Sequence, residues 1–227
     1  MDHTTLELVI EEVQAHLLGQ QAHLPTPVPF RNFVAQARIG TDRDAYMAYF
    51  RAQLADIDTT SAPFDLWDTQ GSGHQIESQR YPVDDVLAQQ LREQARVWGV
   101  SAASLFHLVW GLVVRATTGR DDVVFGTVLF GRMAGGKGAD RALGMFLNTL
   151  PLRLSLGNIE VGRAVQQTHA LLAELLNYEH APLSLVQQCS GVGTQTPLFT
   201  SLLNYRYQGE RPDGKQCGTV GGGMARN

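Results

Sequence analysis

Between Ser101 and Phe130 the sequence changes period once, and that change limits the fold more than any other feature. Ala102 to Thr118 (AASLFHLVWGLVVRATT) is apolar around most of its circumference and follows Ser101 as a cap, which predicts a buried helix. Gly119 closes it, Asp121-Asp122 leads out, and Val123 to Phe130 (VVFGTVLF) is a β-branched apolar run of the strand type. A buried helix running straight into a buried strand calls for helices layered on a sheet. It excludes all-helical and all-β architectures.

The flanking segments extend the pattern. Phe146 to Leu156 predicts a second strand, Val161 to Asn177 a long helix, Leu183 to Cys189 a short one and Leu198 to Tyr207 a third strand. Upstream, Asp84 to Val97 predicts a helix through Val86, Leu87, Leu91 and Ala95, ended by Gly99. Thr5 to Leu18 places Leu6, Val9, Ile10, Val13 and Leu17 three and four residues apart. That is an amphipathic helix, capped by Thr4 or Thr5. After the Pro-rich connector Leu24 to Phe30, helices are predicted over Arg31 to Ala37 and Asp42 to Leu54. The turn-rich stretch from Asp56 to Gly73 gives an internal boundary, and residues 209–227, with six glycines and no apolar period, read as a tail.

Composition narrows the class of function. With 44% hydrophobic and 18% charged residues among 227, the chain has the composition of a globular protein and not of a disordered one. Eighteen basic against 22 acidic residues, with no Lys/Arg run, argue against nucleic acid as a partner. The longest apolar stretch, Leu105 to Val114, is far short of the roughly 20 residues of a membrane span, and the acidic start MDHTTLELVIEE is unlike a secretion signal. Cys189 and Cys217 have no metal or disulfide spacing. The expectation is a soluble chain in the reducing cytoplasm, with no membrane contact and no bound metal.

Three residue patterns bear on chemistry. Gly131 to Lys137 matches G-x-x-x-x-G-K after a strand, but Gly138 stands where a Ser or Thr would hold Mg²⁺, so a surface loop is the better reading. The seven histidines show no paired ligand spacing and no G-x-S-x-G elbow accompanies them; His107 and His169 read as structural. Asp2-His3 precedes a Thr pair, where a carboxylate at a helix N-terminus is stabilised. Taken alone, that pair reads as a cap.

Six blocks in order change the weight of those residues: DHTTLE (Asp2 to Glu7), PFRNFVAQ (Pro29 to Gln36), GRDDVVFGT (Gly119 to Thr127) with Gly131-Arg132, LGMFLNTLPLRL (Leu143 to Leu154), EHAPLSLV (Glu179 to Val186) and TPLFTSLLNYR (Thr196 to Arg206). Together they resemble the condensation domain of nonribosomal peptide synthetases, a relative of chloramphenicol acetyltransferase, from Asp2 to about Tyr207.

The resemblance implies an α/β, chloramphenicol-acetyltransferase-like two-layer sandwich, present in part. Residues 1–73 would be the end of the N-terminal lobe with its crossover, 74–208 most of the C-terminal lobe, and 209–227 a tail outside the family. It implies amide-bond formation between acyl groups held as thioesters on the phosphopantetheine of carrier proteins, with no cofactor bound directly and with neighbouring synthetase domains as partners. Asp2 matches the aspartate of the family's H-H-x-x-x-D motif, which has a structural role, and His3 stands where many members have Gly. The motif's two histidines would fall before Met1. The expectation is therefore a piece of a domain, inactive alone; the rival reading is a non-catalytic remnant that docks a carrier protein or pairs with a complementing chain, with self-association as a further expectation. Asn204 matches an asparagine near the active site, while Arg132, Asn148 and His3 are expected along the substrate tunnel.

Overall fold

The computed structural model describes residues 2–39, 42–67, 77–131, 138, 141–193 and 195–206. The elements are α1 (His3–Leu17), α2 (Phe30–Ile39), α3 (Arg43–Leu54), α4 (Asp85–Val97), α5 (Ala102–Thr118), β1 (Asp122–Phe130), β2 (Leu147–Ser155), α6 (Val161–Leu175), α7 (Leu183–Gln187) and β3 (Leu202–Leu203). The strand order is β2-β1-β3. β1 and β2 pair antiparallel in unbroken register from Asp122 opposite Ser155 to Phe130 opposite Leu147, and β3 adds parallel to β1.

The helix-to-strand switch builds as its period requires. Ser101 Oγ caps α5 on the Ser104 N–H at 3.2 Å, and Gly119 ends the helix in a left-handed conformation at φ +69°. α5 lies close on the sheet at Gly111, where a Cβ would stand 2.7 Å from a methyl of Leu154 on β2. The core beneath α5 and α6 holds Val114, Phe125, Leu150, Leu154 and Val165, all almost fully buried. Tyr46, Phe50 and Leu54 of α3 join the same core, so α3 and the sheet are one packing unit.

Three expectations change. α1 begins at His3, and its cap is Asp2, whose carboxylate accepts from the Thr5 N–H at 2.8 Å; neither Thr4 nor Thr5 caps it. The third strand is only Leu202–Leu203, with one further bridge between Ser61 and Phe199, because only Gly126 and Thr127 of β1 face it in parallel register. α5 is buried on one side only: Val109, Leu112 and Val113 of its other side are exposed. Cys217, the G-x-x-x-x-G-K loop beyond Gly131, the boundary at residue 73 and the tail lie outside the described residues.

No single helix among the described residues is long and apolar enough to cross a membrane; α4 and α5 pass that test only as a pair bent by 107°.

Candidate active site: a carboxylate clasp at the head of a cavity

Asp2 is buried and uses both carboxylate oxygens. Oδ1 caps α1, and Oδ2 accepts from the Phe146 N–H at 3.3 Å. Thr5 fastens the same junction: its hydroxyl donates to the Gly144 carbonyl at 2.8 Å and accepts from the Gly144 N–H at 3.1 Å. The Phe146 carbonyl accepts from the Gly131 N–H at 2.9 Å. Two sequence blocks 140 residues apart, DHTT and GMFLNT, are thereby locked to the end of β1. Gly144 has to be glycine, because a Cβ would meet the Phe30 ring at 2.2 Å.

The clasp stands at one end of a cavity of about 570 Å³ between α2, the start of β2 and the 177–182 turn. Phe30 and Phe33 meet Phe146 edge-on at centroid distances of 5.0 and 5.4 Å and form the apolar wall. Arg38, Tyr46, Asn148, Asn177, Glu179 and His180 supply its polar lining. His180 Nε2 lies 3.8 Å from Oε1 of the buried Glu179. The size and the mixture of aromatic wall with a few polar groups suit an organic ligand.

The residues expected at the site separate into groups. Asp2 holds the site together. Asn148 lines the cavity, but both of its donated hydrogen bonds are spent, at 2.8 Å each, on the Glu179 and Ala181 carbonyls, and its Oδ1 accepts from the Thr149 N–H at 2.9 Å. It fixes the turn that carries His180. Asn204 is exposed just past β3 and does not line the cavity. His3 starts α1, and its side chain is outside the described residues, as is Arg132. The structure adds Arg38, Asn177 and His180; the EHAPLSLV block marked the last, whereas Arg38 had no motif around it.

The remaining candidates are structural. His107 is buried, with Nδ1 2.7 Å from the Ala103 carbonyl and Nε2 2.6 Å from the Thr127 hydroxyl, and burial holds its pKa below the ordinary value. His169 Nδ1 lies 3.0 Å from the Ser104 hydroxyl at the head of α5. Buried Cys189 has its thiol pKa pushed up by desolvation. No group of three or more His, Cys, Asp or Glu that could hold a metal occurs among the described residues.

With the Asp2 clasp and the aromatic cavity set in an α/β layered fold, the chain belongs to the Condensation domain family, which matches residues 1–219. It is 46% identical over 212 residues to malpinin synthetase of Mortierella alpina, covering 93% of this chain and 3% of that protein. It is 47% identical over 206 residues to malpibaldin synthetase of the same organism, covering 91% and 4%. Its fold matches the first condensation domain of the calcium-dependent antibiotic synthetase, solved with a substrate analogue, at TM-score 0.66 and 19% identity over 92% of this chain and 47% of that one. The condensation domain from Monacolin K polyketide synthase MokA matches at TM-score 0.65 and 18% identity, over 88% and 50%. The chain thus spans about half of these solved domains and a few per cent of the synthetases.

Proposed function

We propose that the chain is part of a condensation domain that joins acyl groups carried as thioesters on the phosphopantetheine arms of carrier proteins. An acceptor amine nitrogen attacks the donor thioester carbonyl; a C–N bond forms, the C–S bond breaks, and the amine proton passes by way of a base to the departing thiolate. The observation that carries this reading is the clasp. Asp2 occupies the motif's aspartate position and ties it to Phe146 at the head of the cavity, so residues directly before Asp2 would be delivered to that cavity. In the family's motif the base is a histidine placed before the aspartate, and a positioned general base contributes roughly 10² to 10⁴-fold. The cytoplasm, where carrier-bound intermediates are made, is its proposed location.

A second reading has its own support. On α1 the stripe Leu6, Ile10, Val13 and Leu17 is 48 to 81% exposed. Trp110 Nε1 and Ser201 Oγ are buried without hydrogen-bond partners among the described residues, and both residues line one groove of about 460 Å³. An apolar helix face and two waiting polar atoms favour a complementing polypeptide that supplies the rest of the domain. The lone chain should then self-associate at micromolar concentration in size-exclusion chromatography. A clean monomer contradicts the second reading and leaves the first standing.

A further inference from the structure

His107 has a polar partner on each ring nitrogen, and His169 Nδ1 meets the Ser104 hydroxyl. His180 differs from both. It lines the cavity with 31% of its side chain exposed, and its polar neighbour, Oε1 of the buried Glu179, stands 3.8 Å from Nε2, beyond hydrogen-bond length. Neither ring nitrogen has a hydrogen bond among the described residues.

The ring is nevertheless held in one place. It rests against Gly131, where a Cβ would stand 2.8 Å from the Phe146 carbonyl oxygen and 3.2 Å from His180 Cε1, so only glycine leaves room. The turn behind the ring is fixed on two sides. Asn148 donates to the Glu179 and Ala181 carbonyls, and the Tyr178 ring stacks on Tyr49 of α3 at 3.9 Å, with Tyr46 and Phe50 edge-on at 5.4 and 5.9 Å. Phe146 then links this imidazole to the clasp: its carbonyl accepts from the Gly131 N–H and its own N–H donates to Asp2 Oδ2.

We propose that His180 is a second acid–base group of this cavity, which gives a proton to the departing sulfur while the base before Asp2 takes one from the amine. This rests on the reading of the cavity as the acyl-transfer site. Two proton movements accompany that exchange: nitrogen loses a proton as the C–N bond forms, and sulfur gains one as the C–S bond breaks. One histidine can do both only by moving between the two atoms; two histidines can each act in place. The protonated His180 ring hands its proton to sulfur as the C–S electron pair departs. The proton released by the amine restores the ring through the base, so none is gained or lost overall. Glu179 suits this task, because its carboxylate forms an ion pair with the ring whenever the ring carries its proton. Gly131, Asn148 and Tyr178 hold the imidazole before any ligand arrives, so no ordering of the ring is needed during the reaction. The signal that separates His180 from the other described core histidines is this combination of a fixed ring and unused nitrogens.

The test varies the leaving group. The full chain, joined to a condensation-domain segment that carries the histidine pair directly before Asp2, is given one acyl group as either an alkyl thioester of N-acetylcysteamine or a thioester of thiophenol, with the same amine acceptor. Thiophenolate is the weaker base and departs without an acid. His180→Ala and His180→Gln should each lower kcat with the alkyl thioester by roughly 10²-fold, with KM nearly unchanged, and lower it with the thiophenyl thioester by less than about threefold. Equal losses with the two donors assign His180 to the structure of the turn and overturn the proposal, as does a loss confined to KM or no loss with the alkyl thioester. These outcomes leave the acyl-transfer reading intact. No product from the joined wild-type protein with either donor overturns that reading, and the role of His180 falls with it.

Discussion

Asp2 gives one carboxylate two structural tasks, so its replacement has a graded outcome. Asp2→Ala removes the cap and leaves the Phe146 N–H without this acceptor. It should cost about 2 kcal/mol in urea unfolding, whereas Asp2→Asn, which still accepts through one oxygen, should cost about half of that. Equal losses for the two variants would show that charge, not capping, is what matters. His107 carries a pH signature. Its ring is kept neutral by burial, with the ordinary imidazole value at 6.5, so the unfolded chain takes up a proton that the folded chain refuses. The stability it supports is present above pH 6.5 and is lost as pH falls below it. The urea midpoint should drop between pH 7.5 and 5.5, and the drop should be smaller in His107→Gln. At this scale the blocks around Asp2 and Asn148 mark both as candidates. The structural use of Asn148 was not legible there, because its partners are backbone carbonyls 31 and 33 residues away.

Elements are joined by polar side chains that reach across layers. Arg153 on β2 donates through Nε to Asp122 on β1 at 2.9 Å, and through Nη1 to the Gln53 carbonyl at 2.7 Å and Asp56 at 2.6 Å at the end of α3. These bonds raise the Arg153 pKa and lower that of Asp56. Arg153→Met keeps the stem but loses the fork. With the guanidinium partly exposed, the cost should be about 1 to 2 kcal/mol in denaturant unfolding; no loss would mean that solvent satisfies the same groups. Asn148→Ala should cost about 2 kcal/mol and loosen the 179–181 turn, seen as faster amide exchange near His180 with the sheet amides unchanged. Helix and strand periods announced every element except the extent of β3. A strand of apolar residues reads the same whether it finds a long partner or only two facing positions, as Leu202 and Leu203 do. The exposed side of α5 was illegible for the same reason: periodicity reports that a face is apolar, not whether something covers it.

On the scale of the molecule, the described residues form one core that runs from α3 through the sheet to α7, with an aromatic satellite of Phe33, Ala142 and Phe146 under the clasp. The chain spans about half of a solved condensation domain, and apolar residues on one side of α1 and of α5 are exposed. The fold class was legible because six blocks carry it in order. Arg38 was not, because its neighbours in sequence say nothing about the cavity into which α2 turns it.

The most direct measurement is a condensation assay with one donor-loaded and one acceptor-loaded carrier protein, the dipeptidyl thioester being read by mass spectrometry. The chain joined to a condensation-domain segment that carries the histidine pair directly before Asp2 should give product, and replacing the second histidine by alanine should cut it by roughly 10² to 10⁴-fold. Product undiminished by that replacement, or none from the joined protein when it is folded and binds both carriers, would contradict the account.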